Sequence, residues 1–211
     1  PAGNVEVRYE IASDEAMKTV VKRGRAVATP QLGHSVHVEV HGLEPDRWYW
    51  YRFTAGDAQS RIGRVRTTPR NMSLPKELNF AFVSCQHYEY GLFTGFGHMA
   101  RENLDLVVHL GDYIYEYAGA DGRVRKHVGP EITTLEHYRN RYGQYQSDPL
   151  LQAAHAHCPW LVTWDDHEFD NDYATFHSEQ PGVKAVAFMK RRANAYQAYY
   201  EHMPLRRSSI P

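Results

Sequence analysis

Alternating hydrophobic and polar positions run through the first third of the chain. Val5, Val7, Tyr9 and Ile11 alternate with polar neighbours, and Val36, Val38 and Val40 repeat the pattern. Each is the period-two signature of a half-buried strand. In GLEPDRWYWYRF, Gly42 to Phe53, the residues Leu43, Pro45 and Tyr49 have the spacing of a tyrosine corner. There a Tyr hydroxyl bonds back to the turn between two strands, and Tyr49, Tyr51 and Phe53 continue the inward alternation. GRVRTTP, Gly63 to Pro69, predicts a last strand and an exit.

After a linker over 71–77 the pattern becomes strand–helix alternation, which argues for layered α/β architecture. LNFAFVS (78–84), LDLVVHL (104–110) and PWLVTW (159–164) are short buried strands by composition. Between them a helix is predicted near Thr94 to Asn103, and a loop rich in Gly and basic residues over 118–131. Thr133 with Glu136 predicts a capping box, and Pro149 opens a further helix. A long helix is predicted from Val183 to His202, with Val186, Met189, Ala193, Tyr196 and Tyr200 on its buried face. Residues 1–70 resemble a fibronectin-type β-sandwich that lacks its first strand or strands, with aromatics that serve packing. Residues 71–211 form the α/β part.

Composition narrows the function classes. The chain has 211 residues, 42% hydrophobic and 23% charged, with a net charge of −1. It can bury a core, and it shows no electrostatic pull toward nucleic acid or an anionic membrane. No apolar run approaches the roughly 18 residues of a membrane span. Two cysteines, Cys85 and Cys158, exclude a disulfide scaffold and a four-cysteine zinc site. Cys158 reads as core. The opening Pro1-Ala2-Gly3 and the ending Ile210-Pro211 read as cuts within a longer protein.

The chemistry gathers where the three α/β strands end. The first runs into Ser84-Cys85-Gln86-His87, the second into GDYIYE (Gly111 to Glu116), the third into WDDHEFDND (Trp164 to Asp172). Carboxyl ends of strands in open α/β sheets face the ligand crevice. Cys85, Asp112, Tyr115, Asp165, Asp166 and His167 are therefore expected at one place. A thiolate, a phenolate and carboxylates suit a high-charge ion such as Fe(3+) better than magnesium, and the oxygen-rich positions Asp166, Asp170 and Asn171 suit Ca(2+). Asp112 could bridge two ions. Tyr115, flanked by Tyr113 and Tyr117, has a packing role as its alternative. Asp165 and Asp166 cannot both point one way; motif position favours Asp166 as ligand and Asp165 as the turn. His167 could be a ligand, a proton donor or a hydrogen-bond donor to phosphate. Glu168 reads as orienting a neighbour. Arg123, Arg125, Lys126 and His127 could steer an anion, or form a solvated basic loop.

SCQ, GDYIYE and WDDHEFDND, in this order after a small β-region, resemble the PhoD-type alkaline phosphatases and phosphodiesterases of the metallophosphoesterase superfamily. The resemblance spans essentially the whole chain. It implies Fe(3+) bound by Cys85, Asp112 and Tyr115, Ca(2+) near Asp112 with Asp166 and Asn171, and phosphate contact by His167. It implies hydrolysis of phosphate mono- and diesters by in-line attack on phosphorus, with no covalent phosphoenzyme, and an extracytoplasmic location. The sequence departs from the general superfamily in having Cys85 at the first motif, Tyr115 where an Asp is usual, and Asp166-His167 where Asn-His is usual. The family's remaining ligands lie in a C-terminal half that this chain lacks, so the piece by itself is expected to be inactive or feeble. Two other readings stand beside it: a non-catalytic binding module with a degenerate site, and an iron oxygenase or redox protein, which would need an open triad containing two His ligands.

Overall fold

The computed structural model describes residues 2–209. Its first unit is a five-stranded antiparallel sheet. The strands are β1 (Val5–Ala12), β2 (Val20–Ala28), β3 (Trp48–Ala55), β4 (Ala58–Gln59) and β5 (Gly63–Arg66). β1 lies between β2 and β3, and β4 and β5 share the far edge of β3. Val7, Ile11 and Tyr49 are buried, as their alternation predicts. The tyrosine corner is formed: the Glu44 amide donates to the Tyr49 hydroxyl at 3.0 Å. The strand predicted around Val36, Val38 and Val40 is not formed, because residues 35–41 join no ladder. Among the described residues this unit therefore has one sheet. Alternation marks a residue's two-sided environment, but a strand also needs a ladder partner, and residues 35–41 take none although the outer edge of β2 carries no strand.

The second unit holds a parallel sheet of β6 (Phe80–Val83), β7 (Leu106–His109) and β8 (Trp160–Val162), in that order. Four helices accompany it: α1 (Thr94–Met99), α2 (Leu135–Gln146), α3 (Pro149–His157) and α4 (Ala185–His202). The chain is thus mixed α/β. Thr134, one residue later than predicted, caps α2 by accepting the His137 amide. Asp148 caps α3 by accepting the Leu150 and Leu151 amides, with Pro149 in the first turn.

One sheet face is covered by α1 and α3. His155 stacks on Trp160 with ring centroids 3.9 Å apart, and Phe96 lies 6.0 Å from the same indole. The other face is open, with Phe80 54%, Phe82 69% and Leu161 60% exposed. The predicted buried face of α4 is corrected by one residue. Phe188, Ala195, Ala198 and Tyr199 are buried, whereas Val186 and Ala193 are exposed. The small side chains Ala195 and Ala198 let α4 approach α2, and Phe188 meets Phe169 at 4.7 Å. The two units are tied by Arg64, which donates to the His157 carbonyl at 2.7 Å, and by Arg66, which pairs with Asp105.

His109, the last residue of β7, is fully buried; its Nδ1 accepts the Gly111 amide at 3.2 Å, and Nε2 has no partner. Burial pushes its pKa down to about 4. Below the ordinary value near 6.5 the unfolded chain takes up a proton that the folded chain refuses. His109 therefore contributes stability that is present above about pH 6.5 and is lost toward pH 4, at up to about 1.4 kcal/mol per pH unit. His109→Asn keeps an acceptor for Gly111 and removes the titration. The gap between urea midpoints at pH 7.5 and pH 5 should narrow in the variant; an unchanged gap would refute the assignment.

Candidate metal and phosphoester site

Because β6, β7 and β8 run parallel, their carboxyl ends deliver the three motifs to one edge of the sheet. The first two loops are stitched together, with the Cys85 amide donating to the Gly111 carbonyl and the Gln86 amide to the Asp112 carbonyl, each at 3.2 Å. Cys85 and Asp112 both hold left-handed backbone, with φ of 54° and 55°. Such conformations cost non-glycine residues roughly 1 kcal/mol or more and gather at functional positions. Gly111, at φ 110°, is required by its neighbour: a Cβ there would stand 2.5 Å from the Asp165 Cβ.

Glu168 fixes this arrangement. It is fully buried; its Oε2 accepts the amides of Asp112 at 3.0 Å and Asp165 at 2.7 Å, and its Oε1 accepts the Tyr113 amide. Burial drives its pKa up to about 7, against the pull of the three amides. One carboxylate thus locks the second strand end to the third.

On this frame sit the candidate ligands. The Tyr115 hydroxyl donates to Asp112 Oδ2 at 3.0 Å, and the exposed Cys85 thiol lies close enough to both residues to shift their pKa values. Burial raises the pKa of Asp112; burial, then the neighbouring Asp112 and Cys85, raises that of Tyr115. Asp112 Oδ1 is buried with no partner. Asp112, Asp166 and His167 each offer a ligand atom, and these atoms lie within 4.8 Å of one another. The donor set fits a cation: acidic oxygens, an imidazole and a phenol gather at one point with the Cys85 thiol nearby, and one buried carboxylate oxygen lacks any hydrogen-bond donor.

The neighbours divide the roles left open by the sequence. Asp165 stays outside the cluster, its backbone against Gly111, while the Asp166 side chain enters it and also accepts the Asp172 amide at 2.7 Å. Asn171 sits beside this point: its backbone amide donates to Glu116 at 3.0 Å and its side-chain amide to Asp172 Oδ2 at 3.4 Å. Asp170 is buried and pairs with Arg191 at 2.6 Å, which makes it a core ion pair. The His167 ring lies tilted against Tyr115, centroids 4.2 Å apart, and meets Glu116 Oε2 through Nδ1 at 2.8 Å. Burial works against the His167 proton, but Glu116, then Asp112 and Asp166, outweigh it and raise the pKa.

Two features escaped the sequence reading. Glu116 is a buried carboxylate committed on both oxygens, to His167 and to the Asn171 amide at 3.0 Å. Its only signal was its place beside Tyr115. The second feature is a His87–Glu89–His127 cluster, whose donor atoms also lie within 4.8 Å of one another. His127 is engaged at both nitrogens: Nδ1 faces the Tyr117 carbonyl at 3.1 Å and Nε2 the Tyr145 hydroxyl at 3.0 Å. Glu89 Oε1 accepts the amides of Ala120 and His127, both at 3.0 Å. It is a clamp on the 118–131 loop rather than the open two-histidine triad an oxygenase needs.

Comparison with known proteins agrees with this geometry. The model of the PhoD-like phosphatase family matches residues 80–211, and that of the PhoD-like phosphatase N-terminal domain matches residues 2–69. Alkaline phosphatase D of Bacillus subtilis (strain 168) is 52% identical over all of this chain and 37% of its own length. A solved structure described as the structure of PhoD superposes with a TM-score of 0.97 at 52% identity, over all of this chain and 41% of that one. The chain thus spans about two-fifths of the length of these relatives.

Glu168→Gln turns one of the two accepting oxygens into a donor facing backbone N–H groups. A loss of about 2–4 kcal/mol of unfolding free energy is expected from the orphaned amides. Urea denaturation measures it, and a variant as stable as the parent would remove Glu168 from this role.

Proposed function

The chain belongs to the PhoD-like phosphatase family, and from that premise we propose that it carries the first strand ends of a metal-dependent hydrolase of phosphate mono- and diesters. The observation that carries the proposal is the buried, unpartnered Oδ1 of Asp112, set among Tyr115, Cys85, Asp166 and His167. In this reading Cys85, Asp112 and Tyr115 hold Fe(3+), and Asp112, Asp166 and Asn171 hold Ca(2+). Bound there, the ions would supply Lewis acidity toward a phosphoryl oxygen and acidify a water.

The side chains do the remaining work. Glu116 accepts the His167 Nδ1 proton, which fixes the orientation of the ring and leaves Nε2 to meet a phosphoryl oxygen. The raised pKa of His167 favours its charged form, a donor suited to charge building on phosphoryl oxygens. Tyr115 and Tyr117, whose rings lie 4.2 and 5.4 Å from the imidazole, limit its rotation.

The rest of the longer protein is part of the same proposal. Parallel sheets are covered on both faces. The exposed Phe80, Phe82 and Leu161 supply an apolar surface for a further C-terminal portion, which would complete the ligand set. Hydrolysis by these 211 residues without it is expected to be feeble or absent. We further propose a division into an N-terminal β-domain, residues 1–70, of fibronectin-type ancestry, and the first half of a layered metallophosphoesterase domain, residues 71–211. The two separate sheets support this division. An extracytoplasmic location is proposed on the family resemblance alone.

In the complete protein, 4-nitrophenyl phosphate and bis(4-nitrophenyl) phosphate should be hydrolysed, with activity lost on chelation and restored by iron with calcium. Asp112→Asn should lower kcat at least about 100-fold, and Tyr115→Phe should bleach or shift a visible iron–phenolate band. Glu116→Gln should lower kcat about 10- to 100-fold while KM moves little, the usual cost of removing a carboxylate that orients a functional imidazole. Full activity in a protein stripped of metal would overturn the proposal.

A further inference from the structure

Resting on the phosphoester reading, we propose that Arg123 and Tyr90 form an outer subsite. It binds a second anionic group, a phosphate or carboxylate, carried on the alcohol part of the ester.

The basic loop over 118–131 holds several cations, and the structure disposes of all but one. Arg125 pairs with Asp148 at 2.8 Å, donates to the Tyr88 carbonyl at 2.9 Å and stacks on the Tyr88 ring at 3.8 Å. Lys126 pairs with Asp121 at 2.5 Å, and His127 is buried in the Glu89 clamp. Arg123 has no carboxylate and no hydrogen-bond acceptor among the described residues. Its guanidinium lies 4.5 Å above the ring of Tyr90, itself mostly exposed.

That guanidinium stands at the end of a row of rings leading out of the candidate site. Tyr115, bonded to Asp112, has His87 at 4.2 Å; His87 has Tyr90 at 4.2 Å; Tyr90 carries Arg123. The row sets Arg123 beyond His87 and Tyr90 rather than beside Asp112, so it addresses a group displaced from the scissile phosphorus. A guanidinium seated on an aromatic face keeps its N–H edges free for bidentate contact with an oxyanion.

The position is also preset. Glu89 Oε1 grips the amides of Ala120 and His127, one on each side of Arg123, and the Val124 amide donates to the Glu89 carbonyl at 3.1 Å. Glu89 belongs to the same short turn as Tyr90. The turn that supplies the ring therefore holds the loop that supplies the charge, and little ordering remains to be done on binding. Diffuse steering by a basic loop would act on every anionic ester alike, whereas a subsite discriminates between esters.

The test uses the complete protein and two diesters with the same scissile bond, 4-nitrophenyl methyl phosphate and 4-nitrophenyl 2-carboxyethyl phosphate. The preference for the carboxylate-bearing ester, as a ratio of kcat/KM, should fall about tenfold in Arg123→Gln, chiefly through KM, and recover in part in Arg123→Lys. Tyr90→Ala should lower the same ratio. A ratio within twofold of the parent's in Arg123→Gln overturns the subsite, including the case in which both esters slow equally. If the parent hydrolyses neither ester, the phosphoester reading itself fails, and the subsite with it.

Discussion

Glu168 couples two strand ends that have no backbone ladder between them beyond the short β7–β8 pairing. Its carboxylate takes the amides of Asp112, Tyr113 and Asp165, so the turn after β7 and the turn after β8 share one acceptor. Asp112 and the passage of the third motif past it take their positions from that link. Asp112 can hold left-handed backbone because its own amide is anchored, and the close passage of Asp165 over Gly111 is kept for the same reason. A neutral acceptor would leave at least one buried amide wanting, at a cost of about 1–3 kcal/mol.

The buried acids differ in how they are neutralised, and the difference isolates the site. Asp170 has Arg191, Glu201 has Arg139, and Glu116 has His167 with a backbone amide. Glu89 and Glu168 are surrounded by amides. Asp112 accepts only the Tyr115 hydroxyl, has the His167 imidazole nearby without a hydrogen bond, and has no partner on Oδ1. A buried carboxylate so poorly served is costly in a finished core, and its pKa rises accordingly. A cation is the group that would reverse that cost, and the phenol and thiol beside it are then able to give up their protons to the same charge.

The sequence made the parallel strands and the convergence at their ends legible because both rest on short-range signals: brief apolar runs, each closed by a motif whose direction follows from the strand. What it left obscure depends on partners distant in the chain. The face of α4 was read one residue off because Val186 and Met189 look apolar, while Ala195 and Ala198, which let the helix approach α2, carry little pattern of their own. The Val36–Val40 alternation is real, yet no edge receives it. Asp166 was favoured over Asp165 by motif position, and the structure separates them through Gly111, a contact no spacing discloses. Asn171 turns toward Asp172, and Glu116 became visible as a partner of His167 only when the third motif was folded back over the second.

The asymmetry of the parallel sheet bears on how the site works as a whole. Helices α1 and α3 cover one face and leave Phe80, Phe82 and Leu161 on the other. The strand ends that hold Cys85, Asp112 and Asp166 lie on the edge between these faces, so a layer packed on the open face would approach the same point from the opposite side. Under the proposed function, this chain would preorganise part of the coordination through Glu168 and the left-handed turns, and the remainder would come from across the sheet. Ligands delivered from two layers would tie metal affinity to the packing between those layers, and the apolar face would then matter to the site as much as the acids at its edge.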